Sequence, residues 1–214
     1  MSVRHYTLAD TLIINLDQAV RALLGPRPTP ARPHPAGDLE EAALAPTEQR
    51  RAARLMRVNH SGEVCAQALY QGQALTARLD TVRERMEQAA AEENDHLDWC
   101  AARVKELGSR TSVLNPFFYG GSMVIGALAG KLGDRWSLGF VAETEYQVVE
   151  HLENHLQRLP VQDRKSRAIL EKMKEDEHHH ATTALEAGGA PLPLPVRLLM
   201  KISSKVMTKT TYWL

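Results

Sequence analysis

The stretch EKMKEDEHHHATTALEAGG, residues 171–189, sets three consecutive histidines, His178, His179 and His180, behind a run of acids. Three overlapping acid-x-x-His pairs fit it: Glu175 with His178, Asp176 with His179, and Glu177 with His180. Each helical residue is turned about 100° from the last, so at most one pair can face a buried interior. Ile169, Met173 and Ala184 share a face with Glu177 and His180, whereas Glu175 and His178 fall in phase with Glu171 and Lys174 on a solvated face. The stretch therefore reads as an amphipathic helix turning one acid and one imidazole inward. Such a helix needs neighbours that compensate the buried charge.

The pattern recurs upstream. In AEENDHLDWC (91–100), Glu93 and His96 follow Met86, Ala89 and Ala90 and precede Cys100 on one face. Between 136 and 159, Leu138, Val141, Val148, Leu152 and Leu159 select Glu145, while Glu143 lines up with Gln147, Glu150 and Asn154. In the helix opening near Thr47, Met56, Ala66 and Tyr70 align with Glu63. Glu63 and Glu93 stand 30 residues apart (93 − 63), and Glu145 and Glu177 stand 32 apart (177 − 145), so each helical hairpin supplies one Glu and then one Glu-x-x-His pair.

A single Glu-x-x-His usually sits at a stripe edge and reaches water. Six in-phase residues in matched spacing form the ligand set of diiron or dimanganese carboxylate bundles. Four carboxylates and two imidazoles balance two divalent cations and leave positions open for dioxygen, whereas four buried carboxylates without a counter-charge would be prohibitively costly. A ligating histidine usually gives its other N–H to a carboxylate. Asp176 is the candidate partner of His96, and Glu92 that of His180, each reaching across from the opposite hairpin. His151 is a third candidate for the surroundings of the site; His60, His178 and His179 read as packing or solvated residues.

Amphipathic periodicity places a first helix over 6–24, which the prolines of GPRPTPARPHPAG (25–37) end. Pro46-Thr47-Glu48 opens a helix expected to run to about Asp80, and another spans about Val82 to Leu107 before Gly108. Helices over about Trp136–Leu159 and Asp163–Ala187 follow, the last stopped by Gly188-Gly189. No strand-length alternation competes, so the expected fold is all-α. Two hairpins joined by a long connection have the outline of a ferritin-like four-helix bundle. The expected organisation is an N-terminal helix (1–24), a Pro-rich linker (25–45), the bundle with its crossover (46–190) and an apolar, basic tail (191–214).

The chain has 214 residues, 43% of them hydrophobic, enough for one substantial core. Lys+Arg 26 and Asp+Glu 26 cancel, which argues against a nucleic-acid binder. Cys65 and Cys100 show no CxxC spacing, so neither a thiolate zinc site nor a disulfide scaffold is expected, and a reducing, cytoplasmic compartment fits. Asp10 and Asp17 interrupt the apolar part of the N-terminus, unlike a secretory signal.

The segments LMRVNHSGEVCAQALYQGQ (55–73), EENDHLDWC (92–100), NPFFYGGSMVIGALAG (115–130), VAETEYQVVEHLENHL (141–156), DEHHHATTALEAGG (176–189) and KVMTKTTY (205–212) resemble the bacterial demethoxyubiquinol hydroxylases. These are diiron monooxygenases of ubiquinone biosynthesis, and the likeness covers most of the chain. It implies that Glu63, Glu93, His96, Glu145, Glu177 and His180 hold two iron ions, Fe2+ when reduced and Fe3+ at rest. The implied reaction is dioxygen-dependent hydroxylation of the ring of 2-polyprenyl-3-methyl-6-methoxy-1,4-benzoquinol, with electrons from an external donor. A membrane surface, a lipid-binding accessory protein or a ubiquinone-biosynthesis complex, and further copies of the chain are the partners it suggests.

A polyprenyl substrate needs an apolar entrance. Residues 111–130 carry no charge over nearly the length of a membrane span, but Asn115, Pro116 and the small residues at 120–130 favour an interfacial or tunnel-lining crossover over a true span. Arg197, Lys201, Lys205 and Lys209, interleaved with Leu198, Leu199, Met200, Ile202 and Val206, suit an anionic bilayer, placing the chain on the cytoplasmic side of the cell membrane as a peripheral protein. Tyr70, Tyr146, Phe117 and Phe118 are the candidate substrate contacts.

Overall fold

The computed structural model describes residues 10, 13, 14, 16–20 and 32–214. Six helices are delimited along it: α1 Pro46–Thr76, α2 Asp80–Glu106, α3 Asn115–Lys131, α4 Asp134–Arg158, α5 Arg164–Glu186 and α6 Leu194–Trp213. There is no strand among the described residues, and the fold is the expected all-α, ferritin-like bundle. Residues 10, 13, 14 and 16–20 of the expected N-terminal helix are helical; the rest of it, and the linker up to residue 31, lie outside the described residues.

Helices α1 and α2 form one hairpin and α4 and α5 the other, while α3 crosses from the first to the second along α1. Local chemistry fixes most ends. Pro46 occupies the first turn of α1, where its missing N–H costs nothing, and the Glu48 carboxylate accepts from the Ala45 N–H at 3.1 Å. Asp163 caps α5 by accepting from the Ser166 N–H at 3.1 Å. The end of α1 differs from the expectation: the helix stops at Thr76, not near Asp80. Two backbone N–H groups of the turn, at Arg78 and Leu79, are each taken at 2.9 Å by the carboxylate of Asp134, at the start of α4.

The core has two apolar halves. Leu55, Met56, Trp99, Cys100, Leu152 and Met173 belong to one, and Tyr70, Met86, Ala90, Leu138, Val141 and Ala184 to the other. On every core helix an inward glutamate separates the two. Glu63 lies between Met56 and Tyr70, Glu93 between Ala90 and Cys100, Glu145 between Val141 and Leu152, and Glu177 between Met173 and Ala184. Helical periodicity thus produces a polar layer across the bundle, closed above and below by hydrocarbon.

The segment expected as a linker packs on the bundle from Arg32 onward: Ala36 is buried, Leu39 and Leu44 lie against the first core half, and Glu41 pairs with the buried Arg103 at 2.9 Å. The crossover helix α3 carries exposed Phe117, Val124 and Leu128, and α6 carries exposed Leu198, Leu199 and Ile202. No described helix is long and apolar enough to cross a membrane. Two basic residues of the tail are paired with α4, Arg197 with Glu143 at 2.7 Å and Lys201 with Glu150 at 2.8 Å.

Candidate metal centre

The polar layer converges on one point. Ligand atoms of Glu63, Glu93, His96 and Glu177 lie within 4.8 Å of one another, all four residues being buried. His96 Nδ1 stands 3.1 Å from Glu93 Oε2, 3.1 Å from Glu177 Oε1 and 3.5 Å from Glu63 Oε2. Glu177 links this group to the other histidine, its Oε2 lying 3.2 Å from His180 Nδ1, which is also 3.6 Å from Glu93 Oε1. Glu145, 1% exposed, accepts a hydrogen bond from the Tyr70 hydroxyl. His178 and His179 are exposed, as helical phase requires.

Both histidines turn Nδ1 inward and Nε2 outward. His96 Nε2 lies 3.0 Å from Asp176 Oδ2, and His180 Nε2 lies 2.7 Å from Glu92 Oε2. Burial opposes the charge on Asp176, but His96, Lys172 and Arg32 hold its carboxyl well below the usual range, so it can only accept. His96 therefore donates from Nε2 and turns Nδ1 to the acids, the orientation that an outer carboxylate imposes on a metal ligand.

The electrostatics fit a cation site. Burial, then the charge on Glu93, pushes the Glu63 carboxyl well up; burial, then Glu177 and Glu93, does the same to Glu145. Burial also opposes the charged forms of His180 and Glu177. The Glu177 and Glu93 carboxylates outweigh it and raise His180 to about 10, while His180 and His96 hold Glu177 down at about 2. Without metal, protons must supply the positive charge that the acids demand. Glu93 Oε1 and Glu145 Oε2 remain buried with no hydrogen-bond partner among the described residues, which a bound cation would satisfy.

A cleft of about 520 Å³ opens beside this layer, lined by Tyr70, Glu92 and His180 and by the apolar Met86, Leu138 and Val141. Of the aromatic residues expected to meet substrate, Tyr70 is in the cleft. Tyr146 is half exposed and sits 6.4 Å from the His178 ring, while Phe117 is exposed and Phe118 stacks edge-on with it. Tyr119 is the buried aromatic of that run, its hydroxyl donating to Gln71. His151 faces His155, 3.9 Å between ring centroids, and burial lowers it to about 4. His60 packs against Asn115, 3.2 Å away. The residue that periodicity missed is Arg32, which reaches both Asp95 and Asp176.

An α-helical bundle whose four core helices each send a glutamate into one layer, two of them with a histidine three residues on, defines a ferritin-like carboxylate protein. Residues 50–211 match the family described as "Ubiquinone biosynthesis protein COQ7", and the chain belongs to that family. Its relatives include the "3-demethoxyubiquinol 3-hydroxylase" of Nitrosococcus oceani, 60% identical over 214 residues and 100% of both chains. The protein of the same name from Stutzerimonas stutzeri is 61% identical over 99% of this chain and 98% of its own. That from Acinetobacter baumannii is 59% identical over 99% of this chain and 100% of its own.

Proposed function

We propose that this chain hydroxylates the ring of demethoxyubiquinol with dioxygen, using two iron ions held by Glu63, Glu93, His96, Glu145, Glu177 and His180. The observation that carries the reading is the buried convergence of Glu63, Glu93, His96 and Glu177, with His180 on Glu177 and Glu145 buried in the same layer, beside a cleft, in a chain whose full-length relatives bear the hydroxylase name. The ring C–H, one dioxygen, two electrons from an external donor and two protons become a ring C–OH and one water. The iron pair supplies the dioxygen activation that no side chain can. Everything else falls to the protein.

Asp176 and Glu92 orient the two imidazoles, and Tyr70 holds Glu145 by its hydroxyl. Met86, Leu138 and Val141 exclude water from the ring's approach. The test is deletion of the encoding gene with quinone profiling. Demethoxyubiquinone should accumulate and the wild-type chain should restore ubiquinone; an unchanged quinone pool would refute the assignment.

The polyprenyl tail enters from a bilayer on which α3 and α6 lie. Phe117, Leu128, Leu199 and Ile202 are 78%, 59%, 67% and 60% exposed, and the chain just before α3 meets the chain just after α6, the Val113 N–H reaching the Leu214 carbonyl at 3.5 Å. So much exposed hydrocarbon on these two helices suits an interfacial site on the cytoplasmic face of the cell membrane. In flotation with vesicles containing anionic lipid, Leu128→Glu with Leu199→Glu should cut the bound fraction several-fold. Equal flotation of the double variant and wild type would remove the membrane from this account.

A further inference from the structure

We propose that Arg32, on the segment ahead of the bundle, is a positioning residue of the metal centre, clamping the two hairpins together through Asp95 and Asp176 and thereby fixing the His96 imidazole. This rests on the metal reading above. Arg32 Nε donates to Asp95 Oδ2 at 2.7 Å, and Arg32 Nη1 donates to Asp176 Oδ2 at 2.6 Å. Asp95 belongs to α2 and Asp176 to α5, so one guanidinium spans the seam between hairpins. Asp176 Oδ2 is also the atom that accepts from His96 Nε2 at 3.0 Å.

The arrangement does more than add an ion pair. Asp95 and Asp176 lie close enough to share one guanidinium, and Glu63, Glu93 and Glu177 stand just inside them around His96. Without a cation between them the outer acids repel, and Asp176 loses the partner that shares its Oδ2 with His96. Lys172 pairs with the other oxygen, Oδ1, at 2.9 Å, and does not replace this contact. The guanidinium plane also covers the Trp99 ring at 5.0 Å, and that ring lies 5.4 Å from His96. A planar fork can reach two carboxylates and a ring face at once; an ammonium cannot.

The same segment is fastened a second time, away from the site, where Glu41 meets Arg103 at 2.9 Å. This second anchor provides the control. Metal-free full-length protein would be titrated with Co2+, reading affinity and the visible ligand-field spectrum, alongside a thermal melt. Arg32→Ala should weaken Co2+ binding about 10- to 100-fold, the range for residues that support a ligand, and should change the spectrum. Arg32→Lys, which keeps charge and most of the bulk, should still lose several-fold.

Glu41→Gln should lower the melting temperature and leave affinity and spectrum as in wild type. The inference is overturned if both Arg32 variants bind and absorb like wild type, or if Glu41→Gln alters the spectrum as much as Arg32→Ala. Wild-type protein that takes up neither Co2+ nor Fe2+ would bring down the metal reading itself, and this inference with it.

Discussion

Glu177→Ala should abolish ubiquinone formation, with hydroxylation falling by more than about 100-fold, since altering even a residue that only supports a ligand costs roughly 10–100-fold. Glu177 offers one oxygen to each histidine, Oε1 to His96 at 3.1 Å and Oε2 to His180 at 3.2 Å, and so joins the two halves of the centre more closely than Glu93, which stands 3.1 Å from His96 but 3.6 Å from His180. Metal-free stability should change little, because two effects oppose. The substitution removes repulsion that helps push up Glu63 and Glu145, and it also removes attraction that supports His96 and His180. A melting temperature within about 4 °C of metal-free wild type corresponds to roughly 1–2 kcal/mol for a chain of this size. His178→Ala, one residue away, should keep activity within about twofold, because His178 is exposed and its ring lies beside that of Tyr146, 6.4 Å between centroids, away from the acids. Complementation of a deletion strain with quinone profiling reads both variants. Ubiquinone formed by Glu177→Ala, or lost in His178→Ala, would contradict the geometry.

The inward acids were legible because helical phase is a local property. Met173, Glu177, His180 and Ala184 must share a face whatever the rest of the chain does. The pairings of Asp176 with His96 and Glu92 with His180 were legible one step further, since antiparallel hairpins set the residue before one ligand against the histidine of the other. Arg32 was not legible: among prolines in GPRPTPARPHPAG (25–37) it has the look of a spacer, and only tertiary structure brings it to Asp95 and Asp176. The end of α1 was hidden for the same reason, its turn being satisfied by Asp134 from a distant helix. Phe117 and Phe118, expected as substrate contacts, share a turn of α3 with Tyr119. Helical rotation sends Tyr119 inward to Gln71 and leaves Phe117 in the open.

Gly126→Val should be among the most destabilising single changes in the chain outside the polar layer, at about 3 kcal/mol or more, the upper end for overpacking. A Cβ on Gly126 would sit 2.2 Å from the Leu69 carbonyl oxygen and 2.9 Å from Leu69 Cα, backbone atoms of α1 that cannot step aside. Gly72, on α1, meets α3 in return, with Met123 O at 2.2 Å from its imagined Cβ. The two backbones are therefore in direct contact, which lets Thr76 Oγ1 donate to the Ala127 carbonyl at 3.0 Å. At roughly 2–4 °C per kcal/mol the melting temperature should fall by about 6–12 °C. Gly120 and Gly121 lie on the same helix, yet a Cβ on either meets nothing within 4 Å. Gly120→Ala should raise stability by about 0.5–1 kcal/mol, through the lower chain entropy of alanine in a helix. Opposite signs from one helix are the signature of a close backbone seam rather than of a helix that merely dislikes substitution. Equal shifts for the two variants would show that α3 does not depend on that seam. Because α1 carries Glu63 and Tyr70 on its far face, a variant that pries α3 away should also loosen metal uptake, and should do so more than its thermal melt alone would predict.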